Sequence, residues 1–124
     1  MKILSVDDSS VIRKIIRGAV EVLEYDLLEA SDGLEALSVL EKNYNDIELI
    51  LLDWNMPGMN GFKFLQTVKA HPEFKKIPVM MVTTESEKSN IVKAIQAGAV
   101  HYMTKPFAME ELMKRILECL GKGE

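Results

Sequence analysis

The sequence predicts an α/β fold: a doubly wound sheet of five parallel strands in the order 2-1-3-4-5, covered by five helices. Three observations predict it. Short apolar runs (Ile3–Val6, Asp26–Ala30, Leu49–Leu52, Pro78–Val82 and Val100–Thr104) alternate with longer segments whose apolar residues recur at helical spacing. The first, third and fourth runs are apolar almost throughout, as strands covered on both faces must be. The second and fifth carry Asp26 and Glu29, or His101 and Tyr102, which suits the two edges of the sheet. Right-handed crossovers then set the first and fifth helices on one face and the second, third and fourth on the other.

The elements follow in order. The first strand stops at Asp7-Asp8, and Ser9 or Ser10 can cap a helix whose stripe is Val11, Ile12, Ile15, Ile16, Ala19, Val20 and Leu23. After the second strand, Ser31-Asp32-Gly33 turns the chain into a helix carrying Leu34, Leu37 and Leu40. The third strand ends at Asp53, and the Pro and Gly content of Met56–Gly61 marks a loop. The third helix has Phe62, Leu65 and Val68 on one face. The fourth strand ends at Thr83, and the helix over Glu87–Ala97, stopped by Gly98, relies on Ile91, Val92 and Ile95. Lys105-Pro106 ends the fifth strand, and the last helix shows Met109, Leu112, Met113, Ile116, Leu117 and Leu120 before Gly121.

Composition bounds the function. The 124 residues and 14.0 kDa suit a single domain over 1–124, with no linker, repeat or effector domain. A hydrophobic content of 48% with 27% charged residues argues against disorder. The net charge of −4 argues against a nucleic-acid-coating surface, which needs clustered positive charge. The lone Cys119 excludes an intrachain disulfide and fits a reducing compartment. Asp7 and Asp8 come too early for a signal peptide, and no apolar run approaches the ~18 residues of a membrane helix. A soluble, cytoplasmic protein is expected.

The chemistry-bearing residues gather at strand carboxyl ends, where open α/β sheets bind ligands at the point of chain reversal. Asp7 and Asp8 follow the first strand, Asp53 the third, Thr83 closes the fourth and Lys105 follows the fifth. An acid after a strand is often only a helix cap. Three carboxylates converging on one pocket, however, repel one another and call for a cation. Oxygen ligands without paired His or Cys suit a hard ion such as Mg²⁺. A carboxylate beside such an ion can attack a phosphoryl group, and the Thr83 hydroxyl and Lys105 ammonium can bind its oxygens.

Four segments in order, Val6-Asp7-Asp8-Ser9, Leu52–Gly61, Val82-Thr83-Thr84-Glu85 and Tyr102–Phe107, make the chain resemble a response-regulator receiver domain over essentially its whole length. These domains share the flavodoxin-like strand order. The resemblance implies that Asp53 is the phospho-acceptor, receiving its phosphoryl group from a histidine kinase. It implies direct Mg²⁺ binding by Asp8, Asp53 and the Asn55 backbone carbonyl, with Asp7 acting mainly through a water. Lys105 would contact the phosphoryl group, Thr83 would move to it, and Tyr102 would rotate inward behind Thr83. Asn55 and Glu85 would line water's path to the phosphate and set its lifetime. Thr84 departs from the smaller residue common beside the switch threonine, which would crowd the phosphoryl site. Lys88, Ile91 and Tyr102 would form the output surface, and Lys105-Pro106 matches the family's cis peptide.

The function this implies is a monomeric, phosphorylation-switched signalling module, not an enzyme with a substrate of its own. The likeness to single-domain chemotaxis regulators points to the flagellar motor switch as output partner, with a phosphatase as a further partner. Glu87 and Glu118 make the output surface more acidic than is usual there. One alternative is a relay intermediate that passes phosphate to a second histidine protein. Another is a Mg²⁺-dependent aspartyl-phosphate phosphatase, which wants a second acid where Asn55 stands. A flavin module would want a phosphate loop where Asp7-Asp8 repel phosphate. The remaining residues take plainer readings. His71 and His101 are read as solvated, Arg13, Lys14 and Arg17 as a solvated helix face, the eight methionines as flexible core filler, and Cys119 as a buried small residue.

Overall fold

The structure, a computed structural model, describes residues 1–121. Residues 122–124, the end of the expected domain, lie outside the described residues. Ten elements alternate along the chain: β1 (Lys2–Val6), α1 (Ser10–Val22), β2 (Asp26–Ala30), α2 (Gly33–Asn43), β3 (Ile47–Leu52), α3 (Gly61–Ala70), β4 (Val79–Thr83), α4 (Lys88–Gln96), β5 (His101–Thr104) and α5 (Met109–Cys119). The strands form one sheet in the order β2-β1-β3-β4-β5, and every neighbouring pair is parallel. That is the expected topology.

The two-residue period of the strands builds two cores. Leu4, Val6, Ile50, Leu52, Val79 and Met81 point to one face, where Leu40 of α2, Phe64, Leu65 and Val68 of α3, and Ala94 of α4 meet them. Ile3, Leu49, Leu51, Met80 and Val82 point to the other, against Ile16, Ala19 and Val20 of α1 and Leu112 and Ile116 of α5. Each large apolar side chain fully buried this way contributes about 1.5–3 kcal/mol. No helix among the described residues is long and apolar enough to cross a membrane.

Side-chain caps set three helix starts. Ser9 accepts from the Ile12 N–H, Asp32 from Glu35 and Asn60 from Lys63. Which residues then face the sheet differs in places from the periodic reading. α2 buries Gly33, Ala36 and Leu40, leaving Leu34 70% exposed. Small residues at its start let the helix pack against the Met59 loop, and the wider leucine turns outward. α3 buries Phe64, Leu65 and Val68, while Phe62 stacks on Trp54 with ring centroids 5.3 Å apart. α4 buries only Ala94, so Val92 and Ile95, expected as anchors, are 46% exposed.

Other residues find partners that chain spacing cannot show. His71 stacks on Phe74 at 3.8 Å and its Nδ1 accepts from the Glu73 N–H. The His101 Nε2 lies 3.5 Å from a Glu118 carboxylate oxygen. Neither is simply solvated, because turns and an edge strand bring both against neighbours from other elements. Arg17 donates to both Glu29 carboxylate oxygens of β2 at 2.9 and 3.1 Å. Its exposure keeps that pair below about 1 kcal/mol. Cys119 is half-buried, and burial pushes its thiol up to about 11, which leaves it unreactive. Met80, Met81 and Met103 fill the core as expected.

One core position is polar without a partner. Ser5 is fully buried on the same face as Ile3, and its hydroxyl finds no hydrogen-bond partner among the described residues. Such a group costs about 1–3 kcal/mol of desolvation. Ser5→Ala should therefore leave stability unchanged or raise it by about 1 kcal/mol in urea unfolding. A loss of more than that would mean that the hydroxyl is satisfied in solution.

Candidate functional site

Parallel pairing assembles the site. Val6 of β1 stands opposite Leu52 of β3, so the next residues of each strand, Asp7 and Asp53, emerge side by side. The Asp53 N–H donates to the Val6 carbonyl at 3.0 Å and continues the ladder into the site. On the other side, Thr83 of β4 stands opposite Thr104 of β5, and the Lys105 N–H donates to the Thr83 carbonyl. Four chain segments are thereby converted into one cluster at the carboxyl edge of the sheet.

Asp7 is 2% and Asp53 6% exposed, while Asp8 is open to solvent. One carboxylate oxygen from each lies within 4.8 Å of the others. The Lys105 ammonium donates to Asp7 Oδ2 at 2.8 Å and to Asp53 Oδ2 at 3.4 Å. Asp7 Oδ1 accepts from the Ser9 N–H at 2.8 Å, and Asp53 Oδ1 from the Asn55 N–H at 3.2 Å. Burial nevertheless pushes the Asp7 carboxyl above its ordinary value, against the lowering effects of Lys105 and the Ser9 N–H. The folded state thus holds the Asp7 proton more tightly than the unfolded chain. Its contribution to stability is present at low pH and is lost as pH rises through the raised value. Three carboxylates facing one ammonium leave an excess of negative charge and oxygen donors only. That donor set fits a hard divalent cation.

At the rim, the exposed Asn55 amide reaches Thr84 Oγ1 at 3.4 Å, bridging the loops after β3 and β4. Thr83 is fully buried, with its Oγ1 accepting from the Glu85 N–H at 3.2 Å. Tyr102 stands on the same sheet face, opposite Met81, and packs on the core beneath α4. Its hydroxyl donates to the Glu85 carbonyl at 2.7 Å. Burial, then the nearby Glu85 and Asp53 charges, push its phenol up to about 12. The Glu85 carboxylate turns to α4, accepting from the Glu87 N–H and the Asn90 amide. Lys88 is exposed and Ile91 half-buried. A cleft of about 380 Å³ along β5 and α5 is lined by His101, Tyr102, Thr104, Pro106, Glu111 and Arg115. The Lys105–Pro106 peptide is cis.

Sequence reasoning missed two contributors. Gly61 lies so close beneath the Asp53 carbonyl that a Cβ there would approach its oxygen to 2.1 Å. Asn90, in the first turn of α4, engages Glu85 across five residues, a spacing with no motif to mark it. Only the loop-closing Gly after Asn60 hinted at the first.

The fold, with its carboxylates and lysine at the point of chain reversal, defines the class. Residues 3–117 match the response regulator receiver domain family, and the chain belongs to that family. Its relatives include chemotaxis proteins. The chain is 42% identical over 125 residues to the chemotaxis protein CheY1 of Helicobacter pylori, covering the whole of both. It is 41% identical over 124 residues to the CheY homolog of Campylobacter jejuni, covering 99% of this chain and 95% of that one. Among solved structures, Vibrio cholerae CheY4 superposes with a TM-score of 0.88 at 34% identity, covering 96% of this chain and 98% of the other.

Proposed function

We propose that this chain carries a chemotaxis signal, with Asp53 accepting a phosphoryl group from a histidine kinase and the α4–β5 face passing the change to the flagellar motor switch. The observation that carries this reading is the Asp53 carboxylate, buried beside Asp7 and held within reach of the Lys105 ammonium at the carboxyl edge of the sheet. An Asp53 carboxylate oxygen attacks the phosphorus, the O–P bond forms as the P–N bond to the donor imidazole breaks, and the imidazole leaves with a proton. Lys105 then faces a phosphoryl oxygen and compensates its charge. Asp8, Asp53 and the Asn55 carbonyl would hold Mg²⁺, with Asp7 behind them, and the ion supplies charge shielding for the incoming phosphoryl group. Thr83 turns its hydroxyl toward the new oxygens, and Tyr102 fills the space behind it. Asn55 and Glu85 tune how long the acyl phosphate lasts, with Thr84 narrowing the rim. Lys88, Ile91 and Tyr102 contact the output partner, and a phosphatase resets the switch. The domain acts as a monomer in the cytoplasm, as a signalling module.

The test begins with the ion. Mg²⁺ in the millimolar range should change the fluorescence of Trp54, which directly follows Asp53, and raise the melting temperature. Asp8→Ala should weaken that response while stabilising the metal-free protein through reduced carboxylate repulsion. With Mg²⁺ and a small acyl-phosphate donor, mass spectrometry should find one added phosphoryl group, stable to acid and released by hydroxylamine. No label, or a label that survives hydroxylamine, would dismiss the acyl-phosphate reading.

A further inference from the structure

Four hydrogen bonds meet on Glu85. Its N–H donates to Thr83 Oγ1 at 3.2 Å, and its carbonyl accepts the Tyr102 hydroxyl at 2.7 Å. Its carboxylate Oε2 accepts from the Glu87 N–H and from Asn90 Nδ2, both at 3.1 Å. The main chain of one loop residue is therefore joined to Thr83 and Tyr102, and its side chain to the first turn of α4. Asn90 Nδ2 also lies 3.4 Å from Glu87 Oε2. Glu87, at the N-cap of α4, makes no side-chain cap of its own, and Ala94 is the only buried residue of that helix. A helix with so little apolar anchorage depends for its position on the polar contacts at its start.

We propose that Asn90 is a positioning residue for the output switch: its amide clasps the Glu85 carboxylate to α4, so that the loop holding Tyr102 and the start of α4 move as one body. The proposal rests on the receiver reading, in which Thr83 changes partner on phosphorylation. When the Thr83 hydroxyl turns away, the Glu85 N–H loses its acceptor and the loop is released. With the clasp made, a displacement of Glu85 draws the first turn of α4 along and carries the Tyr102 anchor with it. Without the clasp the Glu85 carbonyl is poorly fixed, and the Tyr102 ring samples solvent whatever the state of Asp53. Side chains joined by one hydrogen bond to a charged acceptor have a two-state preference large enough for such a role.

The experiment uses the whole chain labelled with 3-fluorotyrosine, with the Tyr25, Tyr44 and Tyr102 resonances assigned from Tyr→Phe variants. Asn90→Asp places an acid in the first turn, which favours a helix N-terminus, but replaces the amide donor with a charge that repels Glu85. Asn90→Ala removes the donor without adding charge. In both, the solvent-exposed population of Tyr102, read from broadening by a soluble paramagnetic agent, should rise roughly tenfold, while Tyr25 and Tyr44 stay unchanged. Beryllofluoride with Mg²⁺ should shift the Tyr102 resonance in wild type and much less in either variant, although both variants still take the acyl-phosphate label. A Tyr102 resonance of wild-type shift and broadening in both variants would overturn the clasp. Failure of the wild type to take the label would instead overturn the receiver reading, and the comparison of Tyr102 exposure would still decide the clasp.

Discussion

Asp53→Asn should take no label at all from a small acyl-phosphate donor and Mg²⁺, where the wild type takes one phosphoryl group. An amide oxygen carries no charge to share with phosphorus, so the loss is a change of reactivity rather than of binding. The neighbouring acids cannot substitute. Both oxygens of Asp7 are held at 2.8 Å, one by Lys105 and one by the Ser9 N–H, whereas those of Asp53 are held more loosely, at 3.4 Å by Lys105 and 3.2 Å by the Asn55 N–H. Asp8 lies open to solvent. The fold should survive, because Lys105 keeps its shorter bond to Asp7 at 2.8 Å and the cluster loses a repelling charge. The melting temperature without metal should therefore be unchanged or higher. Mass spectrometry that finds the label intact in this variant would show that another carboxylate is the acceptor.

Gly61→Ala should cost the fold more than any conservative change elsewhere in the loop that follows Asp53. The Cβ would lie 2.1 Å from the Asp53 carbonyl oxygen and 2.7 Å from the Trp54 Cα, both backbone atoms that cannot swing aside. The Gly61 N–H also donates to the Trp54 carbonyl at 2.8 Å, which pins the start of α3 against this segment. Overpacking against backbone belongs at the upper end of the usual range, about 3 kcal/mol or more, or a fall in melting temperature on the order of 10 °C. Any relaxation must move Asp53 itself, so the Mg²⁺ response of Trp54 should weaken with stability. Gly58→Ala is the contrasting case. Nothing lies within 4 Å of its Cβ, and only the φ of 71° opposes it. That left-handed conformation costs about 1 kcal/mol and leaves the site in place. Equal losses for the two substitutions, in urea unfolding, would remove the steric argument for Gly61.

The sheet order and the division of helices between its faces were legible because they follow from apolar runs, two periods and a rule of handedness. The acids, Thr83 and Lys105 were legible because strand ends can be counted in a linear sequence. The inward residues of α2, α3 and α4 were legible only in part: Leu40, Leu65 and Val68 face the core as read, but the others do not follow the stripe. Leu34 and Phe62 fit an apolar stripe, yet which side of that stripe meets the sheet depends on how closely the helix can approach it. Gly33, Ala36 and Ala94 decide that, and their small size gives no hydrophobic signal.

The site divides in the same way. Residue type and strand position by themselves determined that three carboxylates, a hydroxyl and an ammonium would gather at the carboxyl edge of β1, β3, β4 and β5. The tertiary structure alone decided how they are shared: that Lys105 bonds Asp7 more closely than Asp53, that Thr84 meets Asn55 at the rim, and that Glu85 turns its carboxylate to Asn90. Strand order is set by patterns repeated over many residues, so it survives in a one-dimensional reading. The allocation of a few hydrogen bonds is set by differences of an ångström between groups far apart in the chain, and only packing fixes those distances.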